Sequence, residues 1–335
     1  MNMEKYVAVM CTLCTLLVAA IGLGQLYGQY GLVELRRGIE RTESIQAVLG
    51  STGEVFSHLL VTLQKAEALL TLSYQTTLRQ RFAEAEEYAR RASELLNTEL
   101  TRIRALRATE QVYHGKDSPL LSVHGDFESA TSEMLYAAYT AQAHAVFFMS
   151  DAEELRTIAT KLKELRGDAW EAPHFYGAAA MMQESVTETD IQDAIEYYRQ
   201  ALESPTCSRY CVDRLNLAEA YLLLDKCTEC ATEVMRYREP FRSDHRPLPK
   251  SHELLAVWFE CVAQYAQRPG AVAPLDTIKL ESDRLHVDLR GQYESSALRQ
   301  FGQRVRAGEA MDRLNQDQRS QIADAIDWLV TSASV

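Results

Sequence analysis

The chain has 335 residues, 47% of them hydrophobic, with only 15 Gly and 8 Pro. That length holds an anchor plus one long or two ordinary domains, and that hydrophobic fraction excludes disorder over most of it. The formal net charge of −12 comes without a basic stripe, which excludes nucleic-acid binding through phosphate contacts and argues against a domain lying flat on anionic lipid.

Val7 to Gly24 is a run without a charge, with Tyr6 on one side and Tyr27 and Tyr30 on the other. A span needs about 20 apolar residues with aromatic rings at the interface, so the run predicts a single transmembrane helix, with residues 1–30 as an anchor. A cleaved signal peptide is the alternative. Its charged region would hold only Lys5, offset by Glu4, and the run exceeds the usual apolar core of about 7–15 residues. Gly22 and Gly24 are small enough to mimic a cleavage site. Cys11 and Cys14 read as fillers of the span. Gly24 and Gly28 form a GxxxG, readable as a dimer contact or as small residues at a helix exit. The arginines past the span (Arg36, Arg37, Arg41) lie too far along to decide orientation. The short N-terminal tail and the oxidisable cysteine pairs favour an extracytoplasmic domain over a cytoplasmic one.

Beyond the anchor the apolar spacing is helical throughout. Leu32 to Leu49 is a helix, broken at Gly50-Ser51-Thr52-Gly53, and Val55 to Leu72 is the next. Phe82 to Leu96 puts Phe82, Ala85, Tyr88, Ala89, Ala92, Leu95 and Leu96 on one stripe. Gln111 to Phe127, with two Gly, one Pro and two Asp, reads as a loop that separates a helical region, 31–110, from a second domain, 128–335. Helices resume over Ser129–Met149 and Asp151–Leu165, the latter capped by Ser150 with Glu153 in capping-box spacing. Ala172–Gln183, Ile191–Glu203, Arg209–Leu224, Cys227–Arg238, Leu254–Gln267, Tyr293–Ala307 and Ser320–Thr331 complete the set. Thr189 and Gln192 are spaced as a second capping box, Pro205 stops the helix after Glu203, and Phe241 to Lys250 is a loop. Trp170, Trp258 and Trp328 read as packing residues. No alternating strand pattern appears, so the fold class is all-α.

Two of these segments carry a repeat. In the first, Ala194, Tyr198 and Ala201 are small, aromatic and small, with Pro205 beyond. In the second, Leu217, Ala218 and Tyr221 precede Cys227 and Cys230. This pattern resembles the tetratricopeptide repeat: Leu217, Ala218 and Tyr221 match its L-G-x-x-Y with Ala for Gly, and Ala194 and Cys230 take its small position. The separation of Ala194 from Cys230 is close to the family's period of about 34 residues. Phe82, Ala85, Ala89 and Ala92 resemble a further second helix, with Leu69–Arg79 as a weaker first helix, and Met134–Leu165 a degenerate pair. The resemblance covers about 70 residues well. Arg214 occupies the tryptophan position, a departure from the family. The resemblance implies an α-solenoid of antiparallel helix pairs that binds a protein partner, and it carries no catalytic residues. Its groove would be lined by first-helix residues such as Asn216, Glu219 and Tyr221. The family's peptide-carboxylate clamp is not readable, because the Lys and Arg pattern that accompanies such an Asn is missing.

The sharpest rival chemistry lies in Cys207, Cys211, Cys227 and Cys230, whose spacing suits a four-thiolate zinc site, a disulfide or a redox pair. The helix between the pairs, about 14 residues or roughly 20 Å, would hold them at opposite ends, against a zinc site that needs all four sulfurs about 2.3 Å from one point. Cys227 and Cys230 begin a helix, where the dipole lowers a thiol pKa. His114 to Asp117 and His124 to Asp126 read as one loop, open either to acid–base or metal chemistry or to plain turn formation. His144 and His174 lie on helices as packing or groove residues. No nucleophile elbow, phosphate loop or dinucleotide fingerprint is present. The reading is a membrane-anchored interaction scaffold, not an enzyme, with no cofactor and no small-molecule substrate. A cysteine-dependent metal or redox module is the alternative.

Overall fold

A computed structural model describes residues 53–115, 118–268, 272–289 and 296–330. The predicted span Val7–Gly24 and the predicted helix Leu32–Leu49 lie outside them. Among the described residues there are twelve helices and no strand, and no helix long and apolar enough to cross a membrane. The chain divides between Met149 and Ser150 into two compact units.

The first unit contains α1 (Gly53–Leu78), α2 (Phe82–His114) and α3 (Pro119–Phe148). The stripe predicted on α2 is its packing face: Ala85, Ala89, Ala92 and Leu96 are fully buried, and Leu100 and Ile103 extend it. The three helices run antiparallel. Ser73 Oγ donates to Ala85 O across the first turn, while His58 at the far end of α1 meets Arg102. Gln142 reaches Glu86 across α2 and α3, and Arg104 and Arg107 clasp Glu128 at the other end.

The segment 111–127 is not the loop that its glycines suggest. α2 continues to His114, and α3 starts at Pro119 with Ser118 as its cap, accepting from Leu120 N at 3.3 Å. Proline suits the first position of a helix, where an N–H has no partner to lose. Val123, Ala130, Thr131 and Leu135 then bury a continuous face, and that packing outweighs the poor helix propensity of Gly125 and Asp126. His124-Gly125-Asp126 therefore lies on a helix, and the division between units falls after α3 instead.

The second unit contains α4 (Ala152–Leu165), α5 (Glu171–Met181), α6 (Glu188–Glu203), α7 (Asp213–Leu223), α8 (Cys227–Ser243), α9 (Lys250–Gln267), α10 (Pro274–Leu285), α11 (Ser296–Ala307) and α12 (Gln316–Val330). Each helix from α4 to α9 packs on the next, and α7 also touches α9. The caps lie one or two residues from the predicted ones. Asp151, not Ser150, caps α4 by accepting from Glu154 N, and the capping box of α6 is Thr187 with Asp190. An aspartate with extended backbone competes better for the free N–H groups than Ser150, which sits at φ 58°.

α5 and α6 approach closely because their interface is built of small residues. Ala178, Ala179, Ala180, Ala194 and Ala201 are buried, and a Cβ on Gly177 would stand 2.6 Å from the Tyr198 ring. The chain then turns back. α11 and α12 form a hairpin that packs on α7, α9 and α10, with Gln300 on α11 bonding Val186 N and Glu184 O, and Arg313 on Asp225. The core is continuous from Ala180 to Val330, with Trp258 and Phe259 fully enclosed. Trp170 and Trp328 are only half-buried.

Candidate functional site

A cluster of polar groups around the buried Asp213 gathers where α5, α7 and the connection between α6 and α7 meet. Ser204 Oγ donates to Asp168 O at 2.5 Å, and Trp170 N donates to Thr206 Oγ1 at 3.2 Å. These bonds tie the connection to the start of α5. A turn then follows, closed by Cys211 N donating to Ser208 O at 2.9 Å.

Asp213 is the first residue of α7 and is completely buried. His174 Nδ1 lies 2.6 Å from its Oδ1, Asn216 Nδ2 donates to the same oxygen at 2.8 Å, and Cys211 Sγ donates to Oδ2 at 3.4 Å. The α7 N-terminus adds the favourable end of the helix dipole, and Val212 supplies no side-chain cap there. A buried carboxyl group is tolerated only when its lone pairs are met in this way. Burial pushes the Tyr198 hydroxyl well above its ordinary pKa, and Asp213 and Glu219 add to the shift.

The four cysteines named from the sequence fall into two separate places. Cys207 and Cys211 flank the turn, and Cys207 Sγ donates to Ser208 O at 3.5 Å; the influence of the Cys211 thiol holds Cys207 below the usual thiol range, while the Cys207 thiol and burial push Cys211 up. Cys227 and Cys230 lie beyond the other end of α7, whose 11 residues span roughly 17 Å. One tetrahedral site cannot take both pairs at that separation. Cys227 is directed at Asp225 Oδ1 and approached by Arg313. The lowering expected from the α8 dipole is overturned: burial pushes Cys227 up to about 11, and pushes the fully enclosed Cys230 up as well. Desolvation of a thiolate outweighs a partial charge at a helix end. Among the described residues no group of three or more His, Cys, Asp or Glu side chains is arranged to hold a metal ion.

The three residues proposed to line a groove face inward or are engaged within the chain. Glu219 and Tyr221 are buried, Tyr221 Oη accepts from Arg199 at 2.6 Å, and Asn216 is bonded to Asp213. α11 packs on this helix. Sequence spacing locates α7 but says nothing of a hairpin returning from about 80 residues downstream. Glu233 is a third buried carboxylate, held by Arg214 at 3.0 Å and Arg236 at 2.6 Å. Arg214 thus spends its charge on an ion pair within the chain. The Asp213–His174 contact leaves no mark in the sequence, because 39 positions separate the two residues and neither stands in a motif.

The histidines of the expected loop do not come together on a loop: His114 ends α2, and His124 is buried within α3. Burial lowers the pKa of His124, and also of His252, whose Nδ1 lies 2.6 Å from Tyr237 Oη. A histidine depressed in the folded state lets the unfolded chain take up protons first as pH falls. Stability is therefore expected to decline as pH drops through about 6.5, and to stop declining on this account below the folded-state values. Chemical denaturation at pH 7 and about 5.5 should show a smaller loss for His252→Asn than for the wild type. An equal loss would mean that His252 does not titrate differently on folding.

No family model matches this chain, and no curated protein matches it.

Proposed function

We propose that this chain is a membrane-anchored interaction scaffold, held by Val7–Gly24 and presenting tetratricopeptide-like helix pairs to a partner protein within a larger assembly. The observation that carries the reading is the interface between α5 and α6. Gly177 lies against Tyr198, and Ala178, Ala194 and Ala201 are buried around it. Small residues at this spacing let paired helices approach, and stacked pairs offer a long surface rather than an enclosed reaction site. The packing of each helix from α6 to α8 on the next and the contact of α7 with α9 are consistent with it.

Partner contact needs surface that the chain leaves uncovered. Asn216 stays half-buried. In the first unit, Leu72 is 40% exposed in a groove that it lines with Leu69, Leu95, Lys65, Arg91 and Glu94. A groove that sets leucines between charged side chains suits an amphipathic partner segment.

Site-specific photo-crosslinking in native membranes tests this, with the probe at Asn216, at Leu72 and at the exposed Gln192 as a control. A discrete protein adduct from Asn216 or Leu72 and not from Gln192 is expected. Adducts from none of them, or with lipid alone, would count against a scaffold.

A further inference from the structure

We propose that Cys207 and Cys211 are a reversible oxidation site, in which Cys207 exchanges with a small-molecule disulfide such as oxidised glutathione and Cys211 resolves the adduct into an intramolecular bond. The inference stands apart from the scaffold reading and rests on how the two thiols are placed.

Both cysteines lie outside helices, between the end of α6 at Glu203 and the start of α7 at Asp213. The turn that closes from Cys211 N to Ser208 O lies between them, so the segment can fold to the Cα separation that a disulfide needs, about 4.4–6.8 Å, without unwinding a helix. Cys207 Sγ donates to Ser208 O at 3.5 Å and Cys211 Sγ to Asp213 Oδ2 at 3.4 Å, and each thiol shifts the ionisation of the other. Cys207 is half-buried and reachable, whereas Cys211 is buried: this is the asymmetry of an attacking and a resolving thiol. The bonds from Ser204 and Thr206 to the start of α5 hold Cys207 in position. The remaining described cysteines are placed differently. Cys230 is enclosed, Cys227 is covered and engaged by Asp225 and Arg313, and burial pushes the Cys261 thiol on α9 up to about 11.

The chemistry balances. The Cys207 thiolate attacks one sulfur of oxidised glutathione; that S–S bond breaks, a Cys207–glutathione bond forms, and one glutathione leaves as thiolate and takes up the proton that Cys207 released. Cys211 then attacks Cys207 Sγ, and the second glutathione leaves; the Cys211 proton ends on it. Two protein thiols are oxidised and one glutathione disulfide is reduced to two thiols. Because Cys211 Sγ donates to Asp213 Oδ2 in the reduced state, the bond removes one of the three side-chain contacts to that carboxyl group. Oxidation is thereby felt at the junction of α5 and α7.

The reduced full-length chain is incubated with oxidised glutathione at neutral pH, free thiols are blocked with N-ethylmaleimide, and peptides are mapped by mass spectrometry. A Cys207–Cys211 bond is expected in the wild type, with Cys227 and Cys230 blocked only after denaturation. C211S is expected to stop at glutathione on Cys207, and C207S to give neither product. Before oxidation, Cys207 should be blocked at least about tenfold faster than Cys261. Free Cys207 and Cys211 while glutathione collects on Cys261, or a Cys227–Cys230 bond forming first, would overturn the proposal. The wild-type map decides it even if a variant folds poorly.

Discussion

Trp258→Ala is expected to destabilise the second unit by about 3–5 kcal/mol, the cost of emptying a large aromatic site in a core that relaxes only in part. Trp258 on α9 is fully enclosed, lies edge-on to Phe259 at 5.1 Å, and donates from Nε1 to Ala325 O of α12 at 3.0 Å. The substitution therefore creates a cavity and releases the pin that joins the returning hairpin to α9. Trp258→Phe separates the two effects. It keeps most of the apolar volume and loses the hydrogen bond, worth about 1 kcal/mol, because Ala325 O sits within α12 and keeps a helical partner. Denaturant unfolding gives the stabilities. Hydrogen exchange should show α12 losing protection before α4 in the Ala variant. Uniform loss across the unit, or a cost below about 1 kcal/mol, would mean that the hairpin is not held through this residue.

The second large effect is expected at Asp213. Replacing it by Ala leaves His174, Asn216 and Cys211 without their common acceptor in a buried site. Removing one partner of a buried polar pair typically costs about 3–5 kcal/mol, since the other stays desolvated and unpaired. Asp213→Asn keeps one oxygen and the shape of the side chain, so it should cost less, about 1–2 kcal/mol. His174→Ala combined with Asp213→Ala should cost less than the sum of the two single changes, because each removes the other's stranded partner. Strict additivity of the pair would show that the 2.6 Å contact contributes little. The site would then have to be read as three independent hydrogen bonds.

These predictions separate what periodicity can see from what it cannot. The stripes of α2, α4 and α6 were legible because a face buried at i, i+3, i+4 and i+7 leaves its mark in every turn. Helix ends were less legible, and for a definite reason. Gly and Pro are the residues that mark breaks in a sequence, yet α1, α7, α8 and α10 end on Gln80, Asp225, His245 and His286, each in the left-handed region at φ between 52° and 58°. There the backbone closes on itself, as Lys226 N does on Tyr221 O and Arg246 N on Phe241 O. This closure is the usual helix stop with a non-glycine residue bearing the strain. At Gly125 the error ran the other way, because packing on α2 carries a poor helix former through.

The candidate site was legible only in pieces. Spacing singled out Cys207, Cys211, Cys227 and Cys230 and placed the two pairs at opposite ends of one helix. It did not reveal Asp213 or His174 as partners, nor that burial would outweigh the dipole at Cys227. By itself the sequence determined that the described chain is helical, which faces of α2, α4 and α6 are apolar, and where small residues allow α5 and α6 to close, because these are properties of neighbours within a turn or two. Only the tertiary structure decided that α11 and α12 return to α7 and α9, that Glu219 and Tyr221 are buried, and that one buried carboxyl group gathers a histidine, an asparagine and a thiol. Those outcomes depend on contacts between residues tens of positions apart, where free energy is set by desolvation and packing in three dimensions, and local pattern carries no record of them.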